Sequence, residues 1–394
     1  MELSRRIRTL NEGDSDGWEL FYRARDLKAA GQPVTELTVG EHDVPTHPEI
    51  LAAMRAAAAA GPTGYAMVPG VDALRDAVAA RVAARTGVTT GRENVLITPG
   101  GQAGLFAAHM ALCDPGDRAL YLDPYYATYP GTIRAAGAEA VRVETRAEDG
   151  FQPQAEAVAV AEKAAGARSI LVNTPNNPTG AVYRRETLEG LARVAEAHDL
   201  WVVADEVYDT QVWEGAHVSP RALPGMAART LVVGSMSKSH AMTGSRLGWI
   251  VGPEEAVARL IDLATVTTYG VPGYIQDAGI FALSRPDLEE AVAAPFRRRR
   301  ALARDILARQ QAVGLVPAEG AMYVMLDIRR TGLSGIAFAD GLLDAHRIAV
   351  MPGESFGRAA AGHVRVAMTV PDDAFTEALE TICAFAAARA AEAV

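Results

Sequence analysis

Short apolar runs rich in β-branched residues alternate along the chain with alanine-rich stretches of helical character, and this alternation constrains the fold more than any other feature. The runs fall at 95–98, 119–122, 169–172, 201–204, 231–234 and 247–251, with helical patterns at 105–112 and near 72–85, 187–198 and 254–266. A strand apolar on both faces must be covered on both, and helices between successive strands provide the cover through parallel crossovers. The pattern therefore predicts an α/β fold with a mainly parallel sheet covered by helices. After about residue 295 the character changes. A strongly basic helical stretch over 295–311 is followed by apolar runs at 321–327, 349–351 and 364–368, a helical pattern over 338–346 and a last alanine-rich helix. This predicts a second, smaller α/β domain, in keeping with a chain of 394 residues. The runs 56–60 and 297–300 read as plain helix.

A formal charge of −10 repels phosphate backbones and argues against nucleic-acid binding. Cys113 and Cys383 sit in apolar, helix-like surroundings and read as buried small hydrophobes. The charged stretch 1–19 lacks the apolar core of a signal peptide, and no run is long enough for a membrane span. The expectation is a cytoplasmic protein. Of the 38 basic residues only Lys28, Lys163 and Lys238 are lysines. Arginine serves wherever a plain positive charge is needed, so a lysine in a distinctive context suggests amine chemistry, with chance and genome bias as the competing explanation that the count alone favours.

In an open parallel α/β sheet, ligands bind beyond the carboxyl ends of the strands. The chemically distinctive residues of this chain fall at those ends. Gly100-Gly101-Gln102-Ala103 follows the first run and opens a helix, so its amides either hold a phosphate or simply make a tight turn. Tyr125-Tyr126 follows the second. Asn173-Thr174-Pro175-Asn176-Asn177-Pro178-Thr179-Gly180 follows the third, and turn duty accounts for only part of it. Asp205-Glu206-Val207-Tyr208 ends the fourth, where a carboxylate is costly without a cation or a strong donor, unless it is an exposed cap on the next helix. Ser235-Met236-Ser237-Lys238, with Arg246 downstream, offers hydroxyls, an ammonium and a guanidinium suited to a phosphate, with a solvated turn as the alternative. It also matches the Ser-x-x-Lys of serine acylases, whose companion motifs are missing. Arg365 lies within an apolar strand and needs an anion, either an internal carboxylate or that of a substrate.

In combination, Asn-x-Pro-x-Asn-Pro-Thr-Gly, Asp-Glu-x-Tyr and Ser-x-Ser-Lys followed by Gly-x-Arg-x-Gly resemble the class I/II aminotransferases. These are pyridoxal-phosphate enzymes of fold type I, and the similarity is to the branch of bacterial aspartate, aromatic and kynurenine transaminases. It runs from about residue 37 to the end. The resemblance implies a mainly parallel seven-stranded sheet covered by helices, with a large domain over 46–294 and a small α/β domain from 1–45 and 295–394. It implies that Lys238 holds pyridoxal 5'-phosphate as a Schiff base and moves a proton at the substrate Cα. Asp205 would keep the pyridine nitrogen protonated, and Tyr208 and Asn177 would bond the phenolic oxygen. Tyr126 would stack on the ring. Ser235, Ser237, Arg246 and the backbone of Gly101, Gln102 and Ala103 would hold the phosphate, with Tyr65 reaching it from the partner subunit of a homodimer. Arg365 would clamp the substrate carboxylate, helped by Asn177 and the Gly40 backbone.

The sequence departs from the family at His42, where many relatives carry proline. His42 reads as structural, with substrate contact as the alternative. Gln102 stands where some aspartate-specific relatives carry lysine, which weakens the case for an acidic side chain on the substrate. Thr268 and Tyr269 are placed near a neighbouring subunit's side-chain pocket. The implied reaction is transfer of an amino group between an L-amino acid and a 2-oxo acid. The alternative is a lyase on the same fold, of the carbon–sulfur β-lyase or aminocyclopropane-carboxylate-synthase kind.

Overall fold

The computed structural model describes residues 1–11, 18–61 and 63–392. The strands are β1 (Thr35–Leu37), β2 (Val95–Thr98), β3 (Arg118–Asp123), β4 (Glu139–Glu144), β5 (Ser169–Asn173), β6 (Trp201–Asp205), β7 (Thr230–Ser235), β8 (Gly248–Val251), β9 (Gly314–Leu315), β10 (Tyr323–Asp327), β11 (Ile348–Pro352) and β12 (His363–Ala367). Seven of them form one sheet in the order β2-β8-β7-β6-β5-β3-β4. All its pairs are parallel except those of β8, which runs antiparallel to both neighbours.

Every residue of β2, β5, β7 and β8 is buried, as expected for strands covered on both faces. Successive residues serve opposite cores. Leu171 and Val203 pack with Leu105 and Leu260 of one helical layer, while Ile170 and Val202 pack with Val158, Leu188 and Leu191 of the other.

The second sheet has the order β1-β11-β12-β10-β9, with β1 and β11 parallel and the other pairs antiparallel. It packs against the helices Gly335–His346 and Asp372–Glu392 through Phe338, Leu342, Phe375 and Ile382. No described helix is long and apolar enough to cross a membrane.

The strands legible in the sequence fall within two residues of their expected bounds. Three features differ from the pattern reading. β4 belongs to no apolar run, because it is an edge strand with glutamate at both ends and only Val143 buried. The helix after Thr98 begins at Gly101 rather than at 105, because Gly101-Gln102-Ala103-Gly104 lacks apolar periodicity. The basic helix spans Pro286–Leu307 rather than starting at Pro295. A proline inside a helix frees the carbonyl four residues back, here that of Ala291, which is exposed.

Candidate active site

Register places the chemistry. Asn173, Asp205 and Ser235 are the last residues of β5, β6 and β7, and Asn173 pairs directly with Asp205. Their strand ends, the helix Gly101–Leu112 and the second sheet enclose a cavity of about 330 Å³. Gly40, Gly101, Gln102, Tyr126, Asn177, Asp205, Tyr208, Ser235, Ser237, Lys238, Arg246 and Arg365 all line it. Ala103 lines the adjoining cavity instead, together with Gln102 and Arg246. Tyr65 lies outside both, 89% exposed, with its ring 5.0 Å from that of Tyr269.

Lys238 sits in the one-turn helix Met236–Ser239, capped by the Ser235 hydroxyl, which accepts from the Ser237 amide at 3.1 Å. Its amine donates to the Gly40 carbonyl at 2.5 Å. Burial holds its pKa below that of a free lysine, and the Arg365 and Arg246 charges add to this. A neutral amine is the nucleophilic form. Gly40 must lack a side chain, because a Cβ there would lie 1.8 Å from Tyr323 Oη.

Asp205 is 3% exposed and, among the described residues, has no cationic partner. Tyr129 Oη donates to its Oδ2 at 2.6 Å and the Val207 amide to its Oδ1 at 3.3 Å. Burial nevertheless pushes its pKa up to about 6. A buried carboxylate held by two neutral donors is set up to receive a cationic N–H.

Arg246 donates to the carbonyls of Thr243 at 3.0 Å and Pro99 at 3.4 Å, and its side chain lies over Gly100. Gly100 has φ +82°, and a Cβ there would stand 2.4 Å from Arg246 Nη2. The first-turn amides of Gly101, Gln102 and Ala103 point away from their own helix, and the glycine cap offers them no side chain. Guanidinium, hydroxyls and helix N-terminus together suit a phosphate.

Arg365 lies in β12, fully buried. Its Nη1 donates to Asn177 Oδ1 at 2.8 Å and its Nη2 to the Thr38 carbonyl, while Nε has no partner among the described residues. The guanidinium carbon stands 4.3 Å from the ring centroids of both Tyr323 and Phe356. Among the described residues no carboxylate forms an ion pair with it, so the internal-carboxylate reading of the sequence finds no support. A buried, unpaired guanidinium is a receptor for an anion.

His42 is outside the main cavity. Its Nε2 donates to the Lys238 carbonyl at 3.0 Å, beside Gln211 Nε2 at 3.1 Å, and burial pushes its pKa down to about 4. It is a neutral prop for the backbone of Lys238. The Gln102 amide is tied to the next helix, donating to Thr132 Oγ1 at 2.6 Å and accepting from Thr128 Oγ1 at 3.0 Å. Thr268 and Tyr269 do not line the cavity.

The sequence reading did not single out Tyr129, Tyr323, Phe356, Thr38, Glu41 or Trp18, which also line the cavity. Tyr129 follows Tyr126 at one-turn spacing, with the rings edge to face at 5.7 Å. That spacing was a usable signal, but its acceptor was not.

The family described as aminotransferase class I and II matches residues 32–382. The chain belongs to the class I and II aminotransferases. It is 43% identical to the arginine–pyruvate transaminase of Pseudomonas aeruginosa over 94% of each chain. It is 36% identical to the aspartate/prephenate aminotransferase of Thermus thermophilus, covering 96% of this chain and 97% of that one. The solved aspartate aminotransferase of Thermus thermophilus with maleate superposes with a TM-score of 0.90 at 35% identity, over 98% of this chain and 100% of that one. As an aminotransferase, the protein moves an amino group between an amino acid and a 2-oxo acid. Its family implies pyridoxal phosphate, and the cavity fits that group. It offers an amine with lowered pKa for the aldehyde, a buried carboxylate lacking a cation for the pyridinium, and a guanidinium beside free helix amides for the phosphate.

Proposed function

We propose that this aminotransferase is a cytoplasmic homodimer in which Lys238 holds pyridoxal 5'-phosphate and works on the substrate Cα. The observation that carries the reading is the convergence of Lys238, Asp205, Arg246 and Arg365 on one cavity. The bound cofactor supplies an electron sink at the substrate Cα. The chain's residues do the rest. Asp205 holds the proton on the ring nitrogen, and Tyr208 and Asn177 serve the phenolic oxygen. Tyr126 covers a ring face. Ser235, Ser237, Arg246 and the amides of Gly101, Gln102 and Ala103 bind the phosphate. Arg365, with Asn177 and the Gly40 backbone, orients the substrate through its α-carboxylate. This presents the Cα–H bond to the Lys238 amine, which takes and returns the proton.

The homodimer is supported by an exposed apolar patch of Tyr65, Met67, Val266 and Tyr269, all more than half exposed. Tyr65 would reach the partner's phosphate from this patch, and Thr268 and Tyr269 its side-chain pocket. Residues 46–294 form the large domain and 1–45 with 295–394 the small one, with the helix Pro286–Leu307 spanning the junction.

The test is acceptor dependence. Purified protein loaded with pyridoxal phosphate should consume an amino acid only when a 2-oxo acid is present. Release of ammonia and keto acid without an acceptor would instead identify elimination chemistry.

A further inference from the structure

Among the described residues, the charges lining the cavity leave one group without a duty. Lys238 is the amine, Arg246 stands at the helix N-terminus, Arg365 faces the α-carboxylate, and Asp205 lies beneath Tyr129. Glu41 remains. It follows Gly40, the residue whose carbonyl receives Lys238, and it is exposed on the cavity wall. Its carboxylate accepts a long hydrogen bond from Thr243 Oγ1 at 3.4 Å and, among the described residues, has no ion-pair partner. It lines the same cavity as Lys238, one residue beyond the carbonyl that the Lys238 amine meets. Trp18, the first residue of the helix Trp18–Ala29, adds an aromatic wall to the same cavity.

We propose that Glu41, with Trp18, selects amino donors whose side chain ends in a cation such as a guanidinium or an ammonium. The inference rests on the aminotransferase reading above. Among the described residues lining the cavity, a dicarboxylic donor finds no uncommitted cation for its second carboxylate. The cavity's arginines and lysine are committed, and the Gln102 amide is held by Thr128 and Thr132. It also meets the repulsion of Glu41. A cationic side chain donates a charge-assisted hydrogen bond to Glu41 and makes a cation–π contact with the indole. Because Glu41 is solvated, the selection is about tenfold rather than absolute.

The experiment measures kcat/KM with pyruvate as acceptor and arginine, lysine, leucine and glutamate as donors. The basic donors should exceed leucine by about tenfold in the wild type, fall towards parity in Glu41→Gln, and yield to glutamate in Glu41→Arg. Calorimetry on the cofactor-loaded protein gives a second readout with ligands that lack the α-amino group. 5-Guanidinopentanoate should bind more tightly than a straight-chain carboxylate of similar length, and Glu41→Gln should abolish the difference. A wild type that favours leucine or glutamate, or a Glu41→Gln protein that keeps the basic preference, overturns the inference and leaves the transaminase reading standing. Absence of turnover with every donor overturns that reading instead, and the calorimetry still decides the part of Glu41.

Discussion

Tyr129 donates its phenolic proton to Asp205 Oδ2 at 2.6 Å, and both groups are buried. Burial holds the phenol well above its ordinary pKa, so it remains a donor at any pH the enzyme meets. A neutral donor favours the carboxylate without cancelling its charge, which stays available to a ring proton. Phenylalanine at 129 leaves Asp205 with the Val207 amide alone. Tyr129→Phe should weaken pyridoxal phosphate binding about tenfold. The sign of the pH effect follows from Asp205, whose pKa in the free protein is about 6. Wild-type affinity falls as pH drops through that value, and the variant's should begin to fall at higher pH. A titration of cofactor absorbance against pH reads both; coincident profiles would contradict the role of Tyr129.

Among the described residues, Arg365 makes two neutral hydrogen bonds and leaves Nε unpaired. Lysine keeps the charge but loses the planar fork. Arg365→Lys should lower kcat/KM by about a hundredfold, chiefly through KM, because the lost contact is made to the α-carboxylate in ground and transition states alike. Steady-state kinetics with a saturating acceptor decide the point, and an unchanged KM removes Arg365 from substrate binding.

Gly100 combines φ +82° with the approach of Arg246 Nη2 to 2.4 Å of where a Cβ would sit. Gly100→Ala is strained by the backbone, by about 1 kcal/mol, and displaces the guanidinium as well. The variant should bind pyridoxal phosphate more weakly but pyridoxal about as well as the wild type. Equal losses for both ligands would place the effect outside the phosphate end.

Most of the large sheet and its strand-end chemistry were legible because strands such as β5 and β7 are buried at every residue and read as unbroken apolar runs. β4 escaped because an edge strand keeps polar residues. Lys238, Asp205 and Arg365 stood out from chemistry alone: an isolated lysine, and charges within or ending apolar strands. Tyr129 and Tyr323 did not, since an aromatic at helix or strand spacing is ordinary core until its hydroxyl partner is known. Glu41 is likewise an unremarkable loop carboxylate until the cavity's other charges have been assigned.

His109 is buried with both ring nitrogens unpartnered among the described residues, and burial pushes its pKa down to about 4 from 6.5. The folded protein therefore keeps this ring neutral where the unfolded chain protonates it. Stability from this source is complete above about pH 6.5 and is lost as pH falls towards 4, by up to about 3 kcal/mol. His109→Leu should flatten the acid limb of stability measured by urea unfolding between those values. An acid limb as steep as the wild type's would show that His109 is not its source.

Every other role in the cavity depends on the amine at position 238. Borohydride reduction of the yellow, cofactor-loaded protein, followed by peptide mapping, tests it directly. The reduced adduct should sit on Lys238, and Lys238→Ala should fold, carry no adduct and turn over no substrate. An adduct on Lys28 or Lys163, or a Lys238→Ala protein that remains active, would contradict it.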